Sequence, residues 1–193
     1  DVGVQTVTLT VTDIYGKQDA CNASVTVTDN EPPTVTAATD VVTTTSADGT
    51  GNCTVAVAIT NATFGDNCSS NLTWAMTGST TGSGSGQVGT FTFNIGVSTI
   101  TYTNTDGSGL TATDAMTVTV TDNEPPTVTA ATDVVTTTSA DGTGNCTVAV
   151  AITNATFGDN CSSNLTWAMT GATTGSGSGQ VGTFTFNIGV STI

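Results

Sequence analysis

Apolar and Thr positions alternate along most of this chain. Val7, Leu9 and Val11 alternate with Thr8, Thr10 and Thr12, and Val25 and Val27 with Thr26 and Thr28. The same period of two returns in Val55-Val57-Ile59, Phe91-Phe93-Ile95, Ile100-Tyr102 and Met116-Val118-Val120. In an extended chain successive side chains point to opposite faces, so each run has one apolar face and one polar face. The β-branched Val, Ile and Thr suit strands because their stiff side chains pack on a pleated surface. No stretch shows helical spacing. Gly and Asp gather between the runs, at 46–52, 82–89 and 105–109, where turns belong. The pattern predicts about seven strands per block, each with one buried face, and hence a two-layer sandwich. Trp74 is expected in its core.

The strand pattern is copied. Residues 29–100 recur at 122–193 with a single change, Ser79 against Ala172, at an offset of 93 residues. Residues 1–30 align more loosely with 94–123 at the same offset. The expected organisation is therefore the C-terminal strands of a preceding repeat at 1–28, a complete repeat at 29–121, and a further repeat at 122–193 that lacks its last strands. A period of this length is too long for a solenoid and suits an independent sandwich domain. A catalytic protein needs one good site, whereas a spacer needs copies.

Composition narrows the function classes. The chain has one Lys (Lys17), no Arg and no His against 15 acidic residues, for a formal net charge of -14. Phosphate backbones are held by displacing counterions with Lys or Arg, so nucleic acid is not an expected partner. Anionic membrane surfaces are disfavoured in the same way. No apolar run is long enough to span a bilayer. Without His there is no Ser-His-Asp or Cys-His arrangement. No carboxylate pair sits in a context resembling a glycosidase, so no catalytic residue is assigned. The five cysteines have no C-x-x-C spacing and no His nearby, which argues against zinc. Few cysteines in an acidic, Thr-rich β chain suit an oxidising exterior.

Several motifs together resemble the hyalin-repeat (HYR) family of immunoglobulin-like modules. They are TDNEPPTVT (28–36), GNC (51–53), DNC (66–68), FNIGVSTITYTNTDGSG (93–109) and TVTVTDN (117–123). The resemblance implies an all-β chain of tandem immunoglobulin-like β-sandwich domains. It also implies an extracellular location on the cell surface, in large adhesins of Bacteroidota that are commonly exported by the type IX system. Members usually carry four cysteines. This repeat has the middle two, while the first would fall near Ala37 or Ala38 and the last falls at Asp114. Their joint loss implies that those two pair with each other, which leaves Cys53–Cys68 and, by repetition, Cys146–Cys161 as the expected disulfides. Cys21 occupies the last-cysteine position, with its partner expected upstream.

The acidic linker is the main candidate binding site. Asp29, Asn30 and Glu31 precede Pro32-Pro33, and Asp122, Asn123 and Glu124 repeat them. Oxygen ligands at a joint between sandwiches suit Ca²⁺, and Asp48, Asp66, Asp122 and Glu124 are expected to converge there. The alternative reading is that these are solvated turn residues, since Asp and Asn bond locally in turns. The N-x-S/T sequons at Asn22, Asn52, Asn61, Asn67 and Asn71, the last four recurring at Asn145, Asn154, Asn160 and Asn164, are either glycan sites or chance in a chain rich in Asn, Ser and Thr.

Three functions fit these features. The first is a structural repeat of a cell-surface adhesin or stalk, acting as an extended spacer with neighbouring repeats of the same chain as its partners. In that case regions outside the chain would contact surface glycans or other cells. The second is a subunit of an extracellular filament, in which other copies are the partners. The third is a carbohydrate-binding module.

Overall fold

The computed structural model describes residues 2–45, 52–138 and 144–193. The described residues contain strands and no helix. The chain divides into two compact units, Asp1–Thr43 with Val55–Val120, and Thr44–Thr54 with Thr121–Ile193. This division does not follow the sequence repeat. Residues 44–54 belong to the 29–121 repeat by sequence and to the second unit by structure.

The first unit opens with a hairpin of two ten-residue strands, β1 (Gly3–Thr12) and β2 (Gln18–Val27), paired antiparallel from Gly3↔Val27 to Thr12↔Gln18. Its turn is held by Asp13, whose Oδ1 accepts the Tyr15 and Lys17 amides at 2.8 Å each. This is the local bonding that makes Asp a turn residue. Gly16 takes φ +81° in the turn, a left-handed conformation open to glycine at little cost.

The remaining strands of this unit are β3 (Thr34–Thr36), β4 (Val41–Thr44), β5 (Thr54–Ala58), β6 (Thr63–Gly65), β7 (Ser70–Gly78), β8 (Gly82–Ser85), β9 (Thr90–Asn94), β10 (Gly96–Asp106) and β11 (Thr111–Thr121). They form a five-stranded sheet in the order β4-β11-β10-β7-β8, with two-stranded sheets β5-β9 and β3-β6. The predicted alternation is realised most fully on β10 and β11, where Ile100, Tyr102, Met116, Val118 and Val120 point inward. They pack with Leu72 and Met76 of β7 against Phe93 of β9 and Ile59, which follows β5. Trp74 is half-buried against this core, edge-on to Phe91 with ring centroids 6.0 Å apart. Gly84 faces it across the β7-β8 pair, and a Cβ there would lie 2.8 Å from the indole. Tyr102 is fully buried and its hydroxyl has no hydrogen-bond partner among the described residues; desolvation raises its pKa. The observed architecture is thus an immunoglobulin-like β-sandwich.

The positions where the family's absent cysteines would fall, near Ala37 and at Asp114, are joined by another means. The Ala37 amide donates to Asp114 Oδ2 at 2.9 Å. Three residues along each segment, the Thr117 amide donates to Asp40 Oδ1 at 2.7 Å.

The second unit repeats these pairings. Its strands are β12 (Thr127–Thr129), β13 (Thr147–Ala151), β14 (Thr156–Gly158), β15 (Thr166–Gly171), β16 (Gly175–Ser178), β17 (Thr183–Asn187) and β18 (Ser191–Thr192). β12 pairs with β14 and β13 with β17, while β15 lies between β16 and β18. The register Thr127↔Gly158 matches Thr34↔Gly65 at the repeat offset.

The structure corrects the expected disulfides. Cys53 is bonded to Cys161, with Cα atoms 4.6 Å apart, and neither Cys53–Cys68 nor Cys146–Cys161 is formed. Cys21, Cys68 and Cys146 are exposed thiols. The physical reason is the shifted boundary. Segment 44–54 belongs to the second unit, and so does Cys161, so Cys53 finds its partner within that unit.

Candidate metal centre

The period of two that builds the core also places a carboxylate at its end. The inward row of β10 runs Ser98, Ile100, Tyr102, Asn104 and Asp106, and all five are buried. Asn104 fastens two other elements to this row, because its Nδ2 donates to the Thr34 carbonyl at 2.9 Å and the Gly65 carbonyl at 3.3 Å. Thr34 and Gly65 are themselves paired across β3-β6. Asp29, in the linker before β3, and Asp66, just after β6, are thereby brought to the end of β10.

One carboxylate oxygen from each of Asp29, Asp66 and Asp106 lies within 4.8 Å of the others. The remaining oxygens are largely satisfied by the chain. Asp106 Oδ1 accepts the Ser108 and Leu110 amides at 2.8 Å each. Asp66 Oδ2 accepts the Cys68 amide at 3.0 Å. Asp29 Oδ1 accepts the Glu31 amide at 3.2 Å and Asn67 Nδ2 at 3.4 Å. Two oxygens, Asp106 Oδ2 and Asp66 Oδ1, are buried and have no hydrogen-bond partner among the described residues. Asp106 is only 7% exposed. Buried acceptors without donors are costly. The chain's one Lys, Lys17, stands in the β1-β2 turn, and there is no Arg or His to neutralise the group. An all-oxygen carboxylate set suits a hard divalent cation and not a soft metal.

The second unit rebuilds part of this arrangement. Asp122 Oδ1 accepts the Glu124 amide at 3.0 Å, Asn160 Nδ2 at 3.2 Å and Thr45 Oγ1 at 3.4 Å. The Glu124 amide is the main reason that the Asp122 carboxyl is held below the usual range, with Asn160 and Thr45 adding to it. Asp159 Oδ2 accepts the Cys161 amide at 3.3 Å, while Asp159 Oδ1 is buried without a partner among the described residues. The counterpart of Asp106 would fall at position 199, and 122–193 does not reach it.

The residues singled out by sequence are therefore sorted differently by the structure. Asp29 and Asp66 meet Asp106, and all three lie in the first unit, while Asp122 and Glu124 belong to the second. Glu31 is exposed, and its amide, not its carboxylate, touches the group. Asp48 lies outside the described residues. Asp106 was missed, although counting by twos from Ile100 along the same strand reaches it.

Curated protein sequences contain no match to the chain. Among solved structures, the chain is similar to one described as "Ca2+-stabilized adhesin helps an Antarctic bacterium reach out and bind ice". The identity is 20%, the TM-score is 0.29, and the match covers 96% of this chain and 48% of that one, about half its length. The HYR domain family matches residues 28–120. Residues 122–193 repeat 29–100 with one change, and residues 28–120 are an HYR domain.

Proposed function

We propose that this chain is a repeat region of an exported cell-surface adhesin or stalk, acting as an extended, non-enzymatic spacer, and that Asp29, Asp66 and Asp106 hold Ca²⁺. The observation that carries the spacer reading is the copying of residues 29–100 at 122–193 with a single change. Copies add length, while a single site would need only one of them. The HYR domain at 28–120 and the disulfide support an extracellular setting. Among the described residues no helix is long and apolar enough to cross a membrane.

The cation reading rests on the two unpartnered buried oxygens of Asp66 and Asp106. Three carboxylates within 4.8 Å repel one another, by on the order of 3 kcal/mol per pair at an effective dielectric constant near 20. A divalent cation removes that repulsion. It also ties the linker before β3 to the end of β10, which stiffens the start of the repeat. Ca²⁺ takes six to eight oxygens, so backbone carbonyls and water would complete the shell.

Two measurements on residues 1–193 test the proposal. Calorimetric titration with CaCl₂ should show saturable binding, and small-angle scattering should show a monomeric, elongated particle. No heat of binding and an unchanged Tm in chelator would overturn the cation assignment. Concentration-dependent polymers would overturn the spacer reading in favour of a filament.

A further inference from the structure

The bonded cysteines come from consecutive copies of the repeat. Cys161 is the counterpart of Cys68, and Cys146 is the counterpart of Cys53, both at the 93-residue offset. The bond therefore runs from the first cysteine of one copy to the second cysteine of the next. Cys68 and Cys146, the two left over, are exposed thiols.

The loop that presents the second cysteine is the same with and without the bond. Around bonded Cys161, the Cys161 amide donates to Asp159 Oδ2 and Asn160 Nδ2 donates to Asp122 Oδ1, at 3.3 and 3.2 Å. Around free Cys68, the Cys68 amide donates to Asp66 Oδ2 and Asn67 Nδ2 to Asp29 Oδ1, at 3.0 and 3.4 Å. The Cys68 loop is thus already set in the form that Cys161 has when paired. Cys21 does not share this setting, because its counterpart is Asp114.

We propose that the repeat is built for an inter-repeat cystine ladder, in which the first cysteine of each copy bonds to the second cysteine of the following copy. Cys68 and Cys146 are then pairing sites, and the partner of each is a cysteine of another copy of this repeat. Each bond removes two protons and two electrons from a pair of thiols. The oxidant is a low-molecular-weight disulfide, which leaves as two thiols. In the chain-entropy model a disulfide closing a loop of about 100 residues stabilises more than one closing about 15.

Thiol counting under denaturing conditions, after folding in a glutathione redox buffer, tests this. Residues 1–193 have five cysteines, so one ladder bond leaves three free thiols, whereas pairing within each repeat leaves one. Cys53→Ser should leave all four remaining thiols free; a result of two means that Cys146–Cys161 has formed and overturns the ladder. The same count is then made on a chain carrying a second copy of residues 29–121 inserted after Thr121. The ladder predicts three free thiols again, while five would show that the added cysteines do not pair across copies and would overturn it. The inference shares only an oxidising location with the proposed function. Calcium titration and thiol counts therefore fail independently.

Discussion

The hairpins β1-β2 and β10-β11 are one element in two settings. They align at the repeat offset, and each pairs its strands antiparallel over ten residue pairs. Each closes on a turn in which one aspartate accepts two amides, Asp13 in the first and Asp106 in the second. A glycine with positive φ completes each turn, Gly16 at +81° and Gly109 at +90°. Their burial is opposite. Val7 and Leu9 are 46% and 61% exposed, while their counterparts Ile100 and Tyr102 are at 0%. Among the described residues β1 and β2 pair only with each other, whereas β10 and β11 sit inside a five-stranded sheet over Phe93 and Ile59. Alternation and turn chemistry are enough to shape a hairpin. Burial comes from the second layer, and an isolated pair of strands is marginal without one.

The largest expected effect tests this contrast directly. Ile100→Ala removes buried methyl groups from a packed interior and should cost about 2–5 kcal/mol in chemical denaturation. Val7→Ala, at the matching position, should stay within about 0.5 kcal/mol. Equal losses at both sites would mean that the first hairpin is covered in solution. A second pair sharpens the roles of the two turn aspartates. With Ca²⁺ at about 100 times its Kd, binding should stabilise the chain by about 2.7 kcal/mol. Asp106→Asn should abolish the Ca²⁺-dependent rise in Tm, yet leave stability in chelator unchanged or higher because it relieves repulsion. Asp13→Asn should leave the rise intact. The smallest effect belongs to the core tyrosine. Tyr102→Phe removes a buried hydroxyl that has no partner among the described residues, so stability should hold or rise by up to about 1 kcal/mol. A clear loss of stability by thermal melting would reveal a hydrogen bond to that oxygen.

Most of the fold was legible from the alternation alone. The inward set of Ile100, Tyr102, Met116, Val118 and Val120 is the set that the period of two marks out. Nine strands, β3 to β11, are described within residues 29–121 where about seven were expected, because β3, β6 and β8 are only three or four residues long. Such short pieces leave too little periodicity to read. Two of the three candidate site residues were legible, since Asp29 and Asp66 stood out as acidic residues near Pro and Cys. Asp106 resembled a turn residue and is one, but its second oxygen is turned inward by the strand that ends there. The cysteine pairing was not legible. Spacing along the chain says which cysteines are near in sequence, whereas the pairing depends on segment 44–54 joining the second unit, a tertiary choice that no local pattern encodes.

Cys53 lies before the linker at 121–126 and Cys161 lies after it. A protease that cuts the exposed backbone there, beside Asn123 or Pro125, does not release the two pieces. They part only when a reductant opens the sulfur bridge as well. Along this stretch the strand of material is continuous twice over, once through peptide bonds and once through sulfur.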